Sequence, residues 1–254
     1  MDHHFPASFS QTFQVRYHEC GADRSVRAAA HLQLFQEIAF SLSAACGFPL
    51  AWYEARRLFW VTRRVHLVVH LRAQYGERLT YTTRLVGARR VLARRINTAT
   101  RTSDNALVAT CLTDWVFTRD GTAAVRIDQG LVAAFPAMSR PVAPIALDDP
   151  TPPPTMAYAP VHIRASDLDG VGHVNHPVYV DLLDDAVIRG GGGRSVAAHP
   201  RTYAVQYHAA TQPGDPLRDA AWEDGGGWRY RLERADGSLV LHGQLSPEET
   251  VLDG

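Results

Sequence analysis

The chain of 254 residues contains no lysine, and all 26 of its basic residues are arginine. Together with abundant alanine, this reads as the codon bias of a GC-rich bacterial genome and carries no mechanism. Cysteine is scarce too. Cys20, Cys46 and Cys111 are an odd number without a CxxC spacing, which argues against a disulfide frame or a zinc site and for a reducing compartment. No apolar run approaches the roughly 18 residues that a membrane-spanning helix needs. The opening MDHHFPASFS lacks a basic and then apolar leader, so the expected location is the cytoplasm. Gly-rich phosphate loops, clusters of metal ligands and nucleic-acid motifs are missing. No cofactor, no metal and no nucleic-acid partner are therefore expected.

What remains is an ordinary globular composition, 46% hydrophobic and 20% charged, long enough for one large domain or two small ones. The net charge of zero conceals an asymmetry. Residues 1–135 hold 17 arginines against 10 acidic residues, and residues 136–254 hold 9 against 16. A basic half could steer a phosphate-bearing or acidic partner; equally, the halves could simply complement each other.

An internal repeat organises the chain. Val15–Ala39 lies over Ile163–Val187 at a constant offset, pairing Arg16 with Arg164, Glu19 with Asp167, Leu34 with Leu182 and Glu37 with Asp185. Gly76-Glu77-Arg78-Leu79 likewise resembles Gly214-Asp215-Pro216-Leu217. Between the copies, residues 136–160 contain eight of the fifteen prolines, which favours an extended, semi-rigid linker. The expected organisation is a flexible N-terminus at 1–11, a first module at 12–135, a linker at 136–157 and a second module at 158–254.

Each module reads as one helix followed by a strand meander. Leu32, Phe35, Ile38, Ala39, Leu42 and Ala45 form a helical stripe with Gly47 as its stop. Residues 58–71, 78–86, 91–100 and 107–117 then read as strands. A second helix opens at Pro177 and ends in Gly190–Gly193, followed by strands at 203–209, 217–222, 228–233 and 238–245. A long helix packed on a curved antiparallel sheet, twice over, is an α+β pattern: a tandem, or double, hotdog.

The stretches VRYHECGADRSVRAAAHLQLFQEIAFSLSAACGF and LFWVTRRVHLVVHLRAQYGERLTYTTRLV resemble the N-terminal hotdog of acyl-ACP thioesterases. RASDLDGVGHVNHPVYVDLLDDA resembles the start of their C-terminal hotdog, and its DxDxxGHVN part resembles the wider 4-hydroxybenzoyl-CoA thioesterase group. The likeness covers roughly residues 12–245. It implies a thioester hydrolase whose active site lies in the second module while the first holds the acyl chain. The family's loop Asp maps to Asp169 and its His to His173. Where an Asn is expected the chain has Val171, and where Glu and Cys are expected it has Ala210 and Thr211. That departure, with the inferred bacterial source, points to a specialised substrate in a natural-product pathway. Gly21 stands opposite Asp169, implying one active site per chain.

The residues themselves carry the chemistry. Asp169 can act as nucleophile or as general base on water. Unsatisfied N–H groups at the helix start, near Val178, Tyr179 and Val180, can meet the oxyanion. His173 can orient Asp169, donate to the carbonyl or hold the loop. Asn175 is expected as a helix cap and Asp167 as a loop acceptor that could also press on Asp169 as a like charge. Asp181, Asp184 and Asp185 are assigned to a solvated helix face, with Glu37 and Asp181 as substitute acids. Phe35, Trp52, Trp60 and Cys111 are candidate acyl-pocket or core residues. The pairs Arg56-Arg57, Arg63-Arg64, Arg89-Arg90 and Arg94-Arg95 could dock CoA or an acidic carrier protein, one of each pair facing either side of its strand.

The substrate expected is an acyl-CoA or an acyl carrier protein thioester, acted on by a monomer or a dimer of double hotdogs. Two other readings stay open. A hotdog dehydratase or isomerase would pair His173 with Glu37 or Asp169. A non-catalytic acyl-binding protein would account for Val171, Ala210 and Thr211.

Overall fold

The computed structural model describes residues 6–143 and 145–248. The chain divides into two compact units, residues 6–63 with 71–143, and residues 64–70 with 145–248.

In the first unit, β1 (Ser8–Gln14) leads through a 3-10 turn to α1 (Ala28–Ala45) and the short α2 (Leu50–Glu54). The strands β2 (Leu58–Val69), β3 (Arg78–Arg89), β4 (Leu92–Arg101) and β5 (Leu107–Arg119) follow, then β6 (Ala123–Ala124) and α3 (Gln129–Ala134). β1, β3, β4 and β5 are neighbours in that order, all antiparallel. The long strands are rich in β-branched and aromatic residues, and the alternation expected of a half-buried sheet is clearest in β3, whose Leu79, Tyr81, Thr83 and Leu85 face the core. α1 lays Leu32, Phe35, Ile38 and Leu42 on that core, and Leu34 with them. It stops where Gly47 takes a φ of +86°, a left-handed value that glycine adopts without strain.

Two boundaries differ from the sequence expectation. Residues 8–11, expected to be flexible, belong to β1, an edge strand whose polar sequence hides it. Its hydroxyls are satisfied across the ladder, Ser10 with Thr82 and Thr12 with Thr80, each at 2.8 Å. The proline-rich stretch is also not all linker. Pro136–Ser139 form a 3-10 turn, Met138 and Val142 are buried, and the Arg140 carbonyl accepts the Ala88 N–H at 2.9 Å. Gly87 permits this approach, since a Cβ there would stand 2.5 Å from the Arg140 oxygen.

The second unit runs through β7 (Ala159–Val161), a 3-10 turn at Ala165–Asp167, α4 (Val178–Arg189) and α5 (Gly193–Ala197). It continues with β8 (Arg201–Tyr207), β9 (Leu217–Asp224), β10 (Gly227–Arg234) and β11 (Leu239–Ser246). Its order is residues 64–69 of β2, then β8, β11, β10, β9 and β7, again antiparallel. α4 buries Tyr179, Val180, Leu183, Ala186 and Val187. Between α4 and α5 the chain turns tightly over Trp228, where a Cβ on Gly192 would lie 2.5 Å from the indole.

The repeat is more complete in three dimensions than in sequence. Arg16 reaches Glu19 with its backbone N–H and its guanidinium, and Arg164 does the same to Asp167. The bridge between Cys20 and Val26 recurs as Leu168 with Val174. The Gly21 N–H donates to the Ser25 carbonyl as Asp169 does to His173, and Arg27 donates to Glu19 as Asn175 does to Asp167.

Candidate functional site

The loop from Asp167 to His176 is built on its first residue. The buried Asp167 carboxylate takes the Arg164 N–H at 2.8 Å and the Arg164 guanidinium, with Nη2 at 2.8 Å. Asp167 is thus a loop acceptor, its charge met by Arg164. The chain then turns back, bridging Leu168 to Val174, and leaves Asp169 half-buried at the hairpin's mouth.

Asp169 is oriented by its own loop. Its Oδ1 accepts the N–H of Val171 at 3.0 Å and of His173 at 3.2 Å. Among the described residues, no donor engages Oδ2. His173 therefore reaches Asp169 through its backbone, and its imidazole makes no hydrogen bond to the carboxylate. Val171 is 37% exposed at the loop tip, so its side chain takes no part in this arrangement.

Asn175 does not cap the helix. Its N–H donates to the Asp167 carbonyl at 2.8 Å, and its Oδ1 is buried with no partner among the described residues. Pro177 occupies the cap instead, and no side chain performs that duty. The expected oxyanion donors are likewise narrowed. The Val178 N–H donates to the Asn175 carbonyl at 2.9 Å and the Val180 N–H to the Pro177 carbonyl at 3.0 Å. Among the described residues, no backbone acceptor takes the Tyr179 N–H.

Two residues singled out from sequence meet directly. The Tyr179 hydroxyl and Thr211 Oγ1 are 2.7 Å apart and fully buried. Beside Thr211, Gln212 Nε2 donates to the Gly172 carbonyl at 2.9 Å and clasps the Asp169 loop. Arg234 holds the same segment by donating to the Ala210 carbonyl at 2.7 Å. The sequence reading missed Gln212, since a glutamine in a turn carries no distinguishing spacing.

His176 and Tyr207 were missed as well. The buried His176 ring meets Tyr207 edge-on, and the Tyr207 hydroxyl donates to the His176 carbonyl at 3.1 Å. Burial pushes the imidazole down to about 3, so it is neutral at physiological pH.

The acidic face of α4 is not uniformly solvated. Asp185 is exposed and Asp181 half-buried. Asp184 turns inward and accepts the Tyr203 hydroxyl at 2.8 Å, and burial raises its carboxyl to about 7 against the pull of Tyr203 and Arg201. Glu37, the other substitute acid, is exposed on α1.

Among the paired arginines, Arg56, Arg57, Arg64 and Arg94 have partners within the chain. Arg57 pairs with Asp120, Arg56 lies 4.4 Å above Trp52, and Arg64 donates to Gln206 at 2.7 Å. Arg94 makes a two-pronged pair with Asp114 at 2.7 and 2.9 Å. Of the four candidate acyl-pocket residues, Trp60 lines a cavity of the first unit, whereas Phe35 and Cys111 are core and Trp52 meets Phe48 and Tyr53 edge-on. Among the described residues, no group of three or more His, Cys, Asp or Glu could hold a metal ion. No helix there is long and apolar enough to cross a membrane.

Comparison with known proteins places these features in context. Residues 6–134 match the family described as the acyl-ACP thioesterase N-terminal domain. Among solved structures, the chain is similar to the 12:0-ACP thioesterase from Umbellularia californica at 21% identity and a TM-score of 0.79, covering 95% of this chain and 97% of that one. It is also similar to an acyl-ACP thioesterase from Bacteroides thetaiotaomicron at 14% identity and a TM-score of 0.78, covering 94% and 97%. At these identities the likeness establishes the fold, the hotdog. No curated protein matches.

Proposed function

The chain belongs to the acyl-ACP thioesterase family and is a thioester hydrolase, and on that premise we propose that Asp169 is its general base, in a second module spanning 158–254. The observation that carries this is the state of the Asp169 carboxylate. One oxygen is pinned by two backbone N–H groups while the other has no donor among the described residues. A carboxylate held by one edge keeps its direction and leaves a basic lone pair for water. Oδ2 takes a proton from that water, whose oxygen attacks the thioester carbonyl carbon. The resulting oxyanion is met by the Tyr179 N–H at the positive end of α4. Collapse breaks the C–S bond, and the thiolate leaves with the proton that Asp169 received. Asn175, its Oδ1 buried without a partner among the described residues, is assigned to holding the water.

The family supports an acyl group presented on a carrier protein, and Val171, Ala210 and Thr211 at the family's polar positions support a specialised bacterial pathway rather than bulk fatty-acid release. The test is thiol release from a panel of acyl carrier protein and acyl-CoA esters by the wild type and by Asp169→Asn. The amide retains an Oδ1 acceptor for the loop and removes the base, so the expected loss is about 100-fold or more in kcat/KM, roughly 2.7 kcal/mol of barrier. An Asp169→Asn enzyme within a few-fold of wild type would overturn the assignment. Binding of the esters without thiol release by the wild type would favour the acyl-binding reading.

A further inference from the structure

The first unit holds a half-open pocket, whose empty space is about 490 Å³ when the open solvent at its mouth is counted. α1 contributes Phe40, the strands contribute Trp60, Leu85 and Trp115, and α3 and the turn after it contribute Leu131 and Phe135. Such walls suit methylene groups. Gln36, Ser43 and Tyr53 add polar groups, and one lining residue carries a charge. Arg95, on β4, lines this cavity at 9% exposure, with its Nη1 buried and without a hydrogen-bond partner among the described residues.

Its sequence neighbour shows what the unit does with a buried guanidinium when the partner is its own. Arg94 points to the other face of β4 and meets the Asp114 carboxylate with two parallel hydrogen bonds, adding the Ala143 carbonyl at 3.1 Å. No residue lining the Arg95 cavity is acidic. The nearby hydroxyls are engaged with one another, since Ser43 and Tyr53 lie 2.9 Å apart and Trp60 Nε1 donates to Tyr53 at 3.3 Å. Desolvation lowers Arg95 only to about 10, so it is charged at neutral pH. A buried cation lacking a counter-charge is costly, and the planar fork of arginine matches a carboxylate.

We propose that this cavity binds an acyl group carrying a carboxylate, which Arg95 engages, so that the preferred substrates are thioesters of dicarboxylic acids. The proposal rests on the reading of the chain as an acyl thioester hydrolase and names its substrate class. A single guanidinium in a lining that is otherwise uncharged fits one carboxylate on a hydrocarbon chain.

The experiment uses two acyl-pantetheine amides of equal chain length, one ending in methyl and the other in carboxylate. Amides are not turned over, so binding is read without catalysis, through the fluorescence of Trp60 and Trp115. In the wild type the carboxylate ligand is expected to bind at least about 10-fold tighter, the worth of one charge-assisted pair. In Arg95→Met the preference disappears or reverses while the methyl ligand keeps its affinity; Arg95→Gln, which retains donors, serves if the Met variant does not fold. Equal or tighter binding of the methyl ligand by the wild type, or equal weakening of both by Arg95→Met, overturns the proposal. Hydrolysis of methyl-ended thioesters with no binding preference would sink this inference and leave the hydrolase reading standing. A carboxylate preference in a protein whose Asp169→Asn form is unimpaired would sink the Asp169 assignment alone.

Discussion

Replacing Asp184 by asparagine should stabilise the second unit at alkaline pH and not at acid pH. The Asp184 carboxyl is raised from 3.8 to about 7, with burial the largest cause and the Tyr203 hydroxyl and Arg201 opposing it. The folded side chain therefore keeps its proton where the unfolded one has lost it. Stability from this group is present below about pH 4 and falls as the pH climbs towards 7, after which it levels off. A displacement of about three units corresponds to roughly 4 kcal/mol lost between those limits. Asparagine keeps an acceptor for the Tyr203 hydroxyl, now 2.8 Å from Oδ1, and cannot ionise. It forgoes the stronger bond to a charged acceptor, about 1 kcal/mol. The expected net gain is about 2–3 kcal/mol near pH 8 and close to nothing near pH 4. The assay is urea unfolding at several pH values, with hydrogen exchange over residues 178–189 reporting the unit that contains α4. A variant less stable than wild type near pH 8, with an unchanged pH slope, would refute the reasoning.

Three further outcomes follow from packing and pairing. Asp114→Asn leaves the Arg94 guanidinium buried without its counter-charge and should cost about 3–5 kcal/mol in denaturant unfolding, whereas joint replacement of both by apolar residues should recover most of it. Thr211→Val strands the buried Tyr179 hydroxyl, at a cost of about 1–3 kcal/mol. It should also lower kcat, because the same turn clasps the Asp169 loop through Gln212, with Thr211→Ser restoring both. Gly192→Ala drives a methyl to within 2.5 Å of Trp228 and Val187 and should lower the melting temperature by an amount equivalent to about 1–3 kcal/mol; an unchanged Tm would show that the turn yields.

Much of the scaffold was legible because it rests on local, periodic signals. The apolar stripe of α1, the Pro177 start of α4 and the β-branched runs from Leu58 and Arg78 onward each bury one face, and burying a face imposes a period on sequence. β1 escaped because an edge strand can satisfy polar side chains across the ladder, as Ser10 and Thr12 do. The loop resemblance singled out Asp169 as a candidate, but the pinning of one of its oxygens was not legible, since that depends on where two backbone N–H groups point. Asn175 was misread for a similar reason, as capping competence is a property of residue type while capping itself is a matter of geometry.

By itself the sequence determined the twofold order of helix and strands, the Arg16–Glu19 and Arg164–Asp167 turns that open each copy, and the loop carrying Asp169. All of these follow from interactions within a few residues. The tertiary structure alone decided which charges are buried and what faces them. Asp184 and Asp185 are neighbours on one helix, and Arg94 and Arg95 on one strand, yet each pair separates into different environments. A side chain's direction is set locally, but the dielectric and the partner it meets come from strands and helices far away in the chain.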